Sequence, residues 1–135
     1  MANKTATAKL KLSYTSPFGV AIALPEMTFA CPYEAHSVSG IDVPALTNSG
    51  ASFDVPFGPV DEATCVVIVN RLAAPLDVKI NGAADASHSI AADSCMMFAL
   101  TAVGSTEITE IALVTTDTQG SEVGVIECLV FGDPS

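Results

Sequence analysis

The stretch from Ala63 to Gly82, ATCVVIVNRLAAPLDVKING, constrains this chain more than any other. It opens with Cys65-Val66-Val67-Ile68-Val69, a run in which both alternating faces are hydrophobic. A strand of that kind has to be covered on two sides. After a polar break at Asn70-Arg71, Leu76, Val78 and Ile80 alternate with Asp77 and Lys79 as far as an Asn81-Gly82 turn. That is a strand with one wet face. A doubly covered strand followed by a half-wet one is what the middle of a β-sandwich requires.

The rest of the chain reads the same way. Ala8, Leu10, Leu12 and Tyr14 alternate with Lys9, Lys11 and Ser13 in an amphipathic first strand that Thr15-Ser16-Pro17 breaks. Phe18, Val20, Ile22 and Leu24 then share one face, with Gly19, Ala21 and Ala23 on the other, where small side chains admit a close neighbour such as a second protomer. Pro25 ends that strand, and residues 27–31 make a short third one. From Tyr33 to Gly58 the pattern weakens: Val38, Ile41 and Val43 suggest a brief strand, and prolines with Asn48-Ser49-Gly50 punctuate a long connection. Such a connection either meets a partner or crosses between sheets, and Phe53, Val55 and Phe57 alternate so as to pin it to the core. Residues 87–92 and 95–100 form two short strands separated by Asp93-Ser94. Residues 107–116 and 122–131 form the last pair, joined by the turn-rich 117–120. No window carries a helical apolar stripe with caps. The expectation is an all-β chain of eight to ten short antiparallel strands. They make one β-sandwich domain over residues 1–135, of jelly-roll type, with residues 1–7 as an N-terminal arm.

Composition sharpens this. Hydrophobic residues make up 50% of the 135, yet the longest apolar runs are far shorter than the ~20 residues of a spanning helix. Outer-membrane strands, alternating over about 10 residues each, fit poorly too. The apolar excess therefore goes into a core and into contacts with other chains. Five cations against fifteen acids give a net charge of −10. Residues 1–25 hold Lys4, Lys9 and Lys11 and no acid, so the remainder stands at −13. A body this acidic repels phosphate backbones, which argues against nucleic-acid binding. The basic segment is either a solubilising edge or a dock for an acidic neighbour. The first residues, MANKTATAKLKL, lack a signal peptide's apolar region, so synthesis in a reducing cytoplasm is expected.

No constellation of catalytic type emerges, and neither an enzyme nor a cofactor is expected. Cys31, Cys65, Cys95 and Cys128 lie about thirty residues apart without the close pairs of a zinc site, and read as small hydrophobes. His36 lies near Glu34 and Cys31, and His88 near Asp85 and Cys95, in spacings that mark no metal or nucleophile site. The carboxylate pairs Asp61-Glu62 and Glu107/Glu110 fall where solvated faces are expected. With no Trp and only Tyr14 and Tyr33, the chain is poor in the aromatic faces on which sugars stack. Gly120 and Gly124 do not precede a helix, so no phosphate loop forms.

Residues 55–82, VPFGPVDEATCVVIVNRLAAPLDVKING, and 124–135, GVIECLVFGDPS, resemble the small capsid decoration, or cement, proteins of tailed bacteriophages. The shared texture is a strand ending in Asn, a short break, an L-x-V-x-I-N-G strand and a closing strand ending near F-G-D. The resemblance implies a virion structural protein made in the host cytoplasm. It would bind the outer surface of an assembled capsid as a homodimer or homotrimer and cement neighbouring major capsid subunits, with no nucleic acid or membrane as partner. Lys4, Lys9, Lys11, Ile41, Phe53 and Phe57 are the expected partner contacts. A tail, neck or fibre component, or a sugar- or receptor-binding sandwich module, is the alternative reading.

Overall fold

In a computed structural model that describes residues 4–99 and 107–134, the apolar run at 65–69 lies within β7 (Val60–Asn70). Its place is interior: β7 pairs with β10 (Ser94–Ala99) on one side and with β12 (Gly124–Pro134) on the other. Outside β12 lies β5 (Ala35–Val43), completing a four-stranded antiparallel sheet. The second sheet runs β6 (Ser52–Asp54), β11 (Ile111–Thr115), β8 (Leu76–Ile80), β9 (His88–Ile90), again antiparallel throughout. Alternate residues of both sheets meet in one core. Val43, Val66, Ile68, Ile126 and Val130 come from the first sheet, and Leu76, Val78, Ile90, Ile111 and Leu113 from the second. The chain is an all-β sandwich, as its alternation requires.

The eight sandwich strands are nested. β5 pairs with β12, β6 with β11, β7 with β10 and β8 with β9, so the first strand meets the last and the innermost two meet each other. Three sequence expectations change here. The described residues form twelve strands, because the expected first two strands are broken into pieces and the 33–58 connection contains more structure than its composition suggests. That connection is not mainly loop. It contains the nine-residue β5, whose inward Ser37 and Ser39 and outward Val38 conceal the pattern, while its full register with β12 decides the conformation. Finally, β11 and β12 are not paired with each other but lie in opposite sheets. Leu100, which ends the expected strand 95–100, and residues 1–3 of the expected arm lie outside the described residues.

Asn70, half of the polar break read from sequence, is fully buried at the corner between β7 and β8. Its Nδ2 donates to the carbonyls of Ala74 (2.9 Å) and Ala91 (3.0 Å), and its Oδ1 accepts from Leu72 N–H (2.9 Å). Here a polar side chain replaces the ladder that a chain turning between sheets has lost. Gln119 does the same nearby, at the turn between β11 and β12, donating to Val43 O (3.0 Å) and Glu122 O (3.0 Å). Near the end of β12 the register with β7 shifts at Gly132, where a Cβ would collide with the Glu62 carbonyl.

The first thirty described residues form a separate ribbon. β1 (Lys4–Leu10) pairs with β4 (Met27–Tyr33), and β2 (Ser13–Thr15) with β3 (Ala21–Ala23). A hydrogen bond from Leu24 N–H to Leu12 O, 2.9 Å, joins the two pairs into one long hairpin with its turn at Ser16–Gly19. Residues 4–7 are the first rungs of this hairpin, so the arm is residues 4–33 and is folded as a β-ribbon. Its root is tied to the sandwich where Glu34 N–H donates to Gly132 O (2.9 Å) and Thr64 Oγ1 to Pro32 O (3.2 Å).

Candidate interaction surface

Pairing fixes which side chains share a face of the ribbon. Residues directly opposite, and residues two apart, point the same way. Ala6, Ala8 and Leu10 therefore stand with Cys31, Phe29 and Met27, and Tyr14 stands with Ile22. Lys9 opposite Thr28, and Ser13 opposite Ala23, occupy the other face. The ribbon is amphipathic, with a greasy side and a side carrying lysines.

At the root that greasy side is covered. Cys31 is fully buried beside Cys65 of β7. Burial, together with the neighbouring Cys31 sulfur, pushes the Cys65 thiol up to about 12. Farther out, cover ends. Leu10, Leu12, Tyr14, Phe18, Val20, Ile22, Leu24, Met27 and Phe29 are all exposed, Phe18 at the turn to 93%. At about half exposure each, nine such side chains present on the order of 900 Å² of apolar surface, more than the ~300–600 Å² patch of an ordinary monomer. A two-stranded ribbon has little cover of its own, and beyond its root none of the described residues covers this one.

The outward face of the first sheet is also apolar. Residues opposite one another across β10, β7, β12 and β5 include Met97–Val67–Leu129–Val38, all pointing away from the core. Val38 is 68% exposed and Met97 is exposed as well. Between this face and β1 runs a groove of about 400 Å³ lined by Ala6, Ala8, Val67, Met97, Leu129 and Phe131. At its rim Tyr33 meets Phe131 edge-on at 5.0 Å between ring centres, and the His36 ring stacks on Phe131 at 6.2 Å. His36 is thus part of an aromatic cluster, and His88 lies edge-on to Phe98 at 5.3 Å.

The expected contacts fall in two groups. Lys4, Lys9 and Lys11 lie on the ribbon, and Lys9 approaches Glu26 at 3.8 Å across it. Ile41, Phe53 and Phe57 are half-buried and pack against the sandwich core, away from the ribbon's exposed stretch. The apolar row across the first sheet was not singled out from sequence, although the two-faced apolar run at 65–69 is its signal. No group of three or more potential metal ligands gathers among the described residues. Cys128 is pushed up to about 11 by burial. Glu62 is raised above the ordinary carboxylate range by a hydrogen bond with Glu107, then by the charges of Glu107, Asp61 and Asp133. No protein-family model matches the chain, and no curated protein matches it either.

Proposed function

We propose that the chain is a virion structural protein that binds the outer surface of an assembled phage capsid and cements neighbouring major capsid subunits. The observation that carries this reading is the ribbon of residues 4–33, whose apolar side continues past the sandwich with nothing over it. A part with that shape works by lying on another protein surface. Its binding free energy comes from area and repetition, and weak contacts repeated around a symmetric shell add into a firm hold.

Two further features support the reading. The nested pairing of the eight sandwich strands supports a jelly-roll reading, an architecture common among viral capsid domains, and also found in lectins and cupins. The net charge of −10 suits a position outside a shell and away from packaged nucleic acid. The cement-protein texture at residues 55–82 and 124–135 agrees with both.

The test is co-sedimentation of the purified chain with expanded tailed-phage capsid shells, prepared without decoration protein, from the genome that carries this chain. Saturable binding at fixed stoichiometry is expected, together with a higher shell-disruption temperature. The double variant Leu12→Asp/Tyr14→Asp on the ribbon should weaken binding at least tenfold. A parent chain that leaves the shells unbound at saturating concentration refutes the proposal.

A further inference from the structure

We propose that the outward face of the β10-β7-β12-β5 sheet is the seat for the ribbon of a second copy of this chain. The inference rests on the assembly reading above and gives the ribbon's apolar side to a sister copy. Shells are then held by the oligomer, and the Leu12→Asp/Tyr14→Asp variant loses them by dispersing it; the contact between copies itself needs no shell. Three observations select this occupant.

The first is shape. The ribbon's root already lies on this face in its own chain, with Cys31 buried and Ala6 and Ala8 over Val67, Leu129 and Phe131. The two surfaces face one another across the open groove, anchored where Cys31 is buried beside Cys65. The same greasy side continues outward through Leu12, Tyr14, Ile22 and Leu24 with no sheet beneath it. Meanwhile Val38 stands 68% exposed on the sheet, and Met97 is 40% exposed on the groove between the sheet and β1. One chain thus holds an uncovered ribbon and an incompletely covered seat of the kind that ribbon fits.

The second is charge. Residues 4–33 carry Lys4, Lys9 and Lys11 against Glu26, a net +2, which leaves −12 for the rest of the chain out of −10 overall. Ribbon against ribbon and sandwich against sandwich both repel. Ribbon against sandwich is the one pairing of copies with attraction between unlike charges.

The third is area. The ribbon's exposed apolar surface, on the order of 900 Å², is about what one partner contributes to a stable interface, near 800 Å². Half of the contact is the ribbon of one copy and half the sheet of another, so the two surfaces are different and non-overlapping. Such a contact is either exchanged reciprocally in a dimer or passed head to tail around a ring.

Complementation tests this with full-length protein. One variant, Ile22→Asp/Leu24→Asp, spoils the ribbon, and another, Val38→Asp/Met97→Lys, spoils the seat; all four positions are exposed. The parent is expected to be oligomeric by native mass spectrometry and light scattering at micromolar concentration. Each variant alone is expected to be monomeric, with the parent's circular dichroism spectrum. Mixed in equal amounts, the variants should form one-to-one pairs at least tenfold tighter than either forms with itself, because one intact ribbon then meets one intact seat. A monomeric parent overturns the proposal, as does a ribbon variant that stays oligomeric. Variants that remain apart when mixed overturn it too, since a ribbon-on-ribbon or seat-on-seat contact cannot be complemented. Shell binding is absent from this measurement, so its success or failure is read separately from that of the capsid proposal.

Discussion

Replacing Asn70 by alanine isolates what holds the β7–β8 corner. The substitution deletes three short hydrogen bonds at a site with no exposure, two donated to Ala74 O and Ala91 O and one accepted from Leu72 N–H, besides a long one from Nδ2 to Ile90 O at 3.4 Å. At about 1 kcal/mol net for each bond, the direct loss is ~3 kcal/mol. Leu72 and Ala74 are themselves buried, so water does not readily take over, and orphaned groups bring the total to about 3–5 kcal/mol. For a domain of this size each kcal/mol moves the melting midpoint by about 3–5 °C, so a fall of ~10–20 °C is expected. Urea and thermal unfolding at one fixed protein concentration measure it, since association would otherwise shift the apparent value. Asn70→Asp sharpens the test. It keeps the acceptor for Leu72 N–H but turns a second oxygen towards two carbonyls, so the native state favours the protonated carboxyl, which can donate. Its folded pKa then lies above its unfolded one, and stability should fall as pH rises through that window. An alanine variant that loses less than about 1 kcal/mol, or an aspartate variant without pH dependence, refutes the corner's assigned role.

Glu62→Gln is expected to stabilise the protein near neutral pH and to make no difference in acid, below the ordinary carboxylate range. Glu62 is raised in the folded state by Glu107 and its acidic neighbours, so its ionisation costs stability as pH rises through the folded value; stability curves of the two proteins against pH check this. Gly132→Ala is expected to destabilise by several kcal/mol, because the added Cβ meets the Glu62 backbone, which has no rotamer by which to escape; the urea midpoint of the soluble variant measures it, and a change below about 1 kcal/mol would be inconsistent with the close approach.

Most of the sandwich was legible because its strands are governed by alternation. Leu76, Val78 and Ile80 face the core, and Asp77 and Lys79 do not, as the period of two demands. What stayed hidden has physical reasons. β5 is an edge strand whose Ser37, Ser39 and Gly40 weaken its pattern, and only the ladder to β12, far off in sequence, makes it nine residues long. Asn70 looked like a turn residue because polarity alone does not tell a solvated break from a buried corner with all its partners supplied by carbonyls. On the interaction surface, the alternation of Phe18, Val20, Ile22 and Leu24 announced an apolar face. It could not announce that the face would stand away from the sandwich, because a strand pattern reports which side is greasy and not what covers it.

The two sheets differ in a way that gives the molecule a side. Outward residues of the second sheet are Asp77, Lys79, Asp54, Ser52 and Ser89 set around Ala112 and Val114, a largely polar face. Outward residues of the first include Val67, Leu129, Val38 and Met97, and the apolar ribbon springs from the same side. A sandwich needs only its inner faces apolar to fold, so the second greasy face on β7 lies outside the core, part of it against the root of the ribbon and part of it open. The doubly apolar run at 65–69 thereby serves two interfaces: Val66 and Ile68 hold the sheets together, while Val67 faces the ribbon groove. A polar residue at Val67 should consequently weaken assembly far more than it weakens the fold, whereas one at Val66 should abolish folding first.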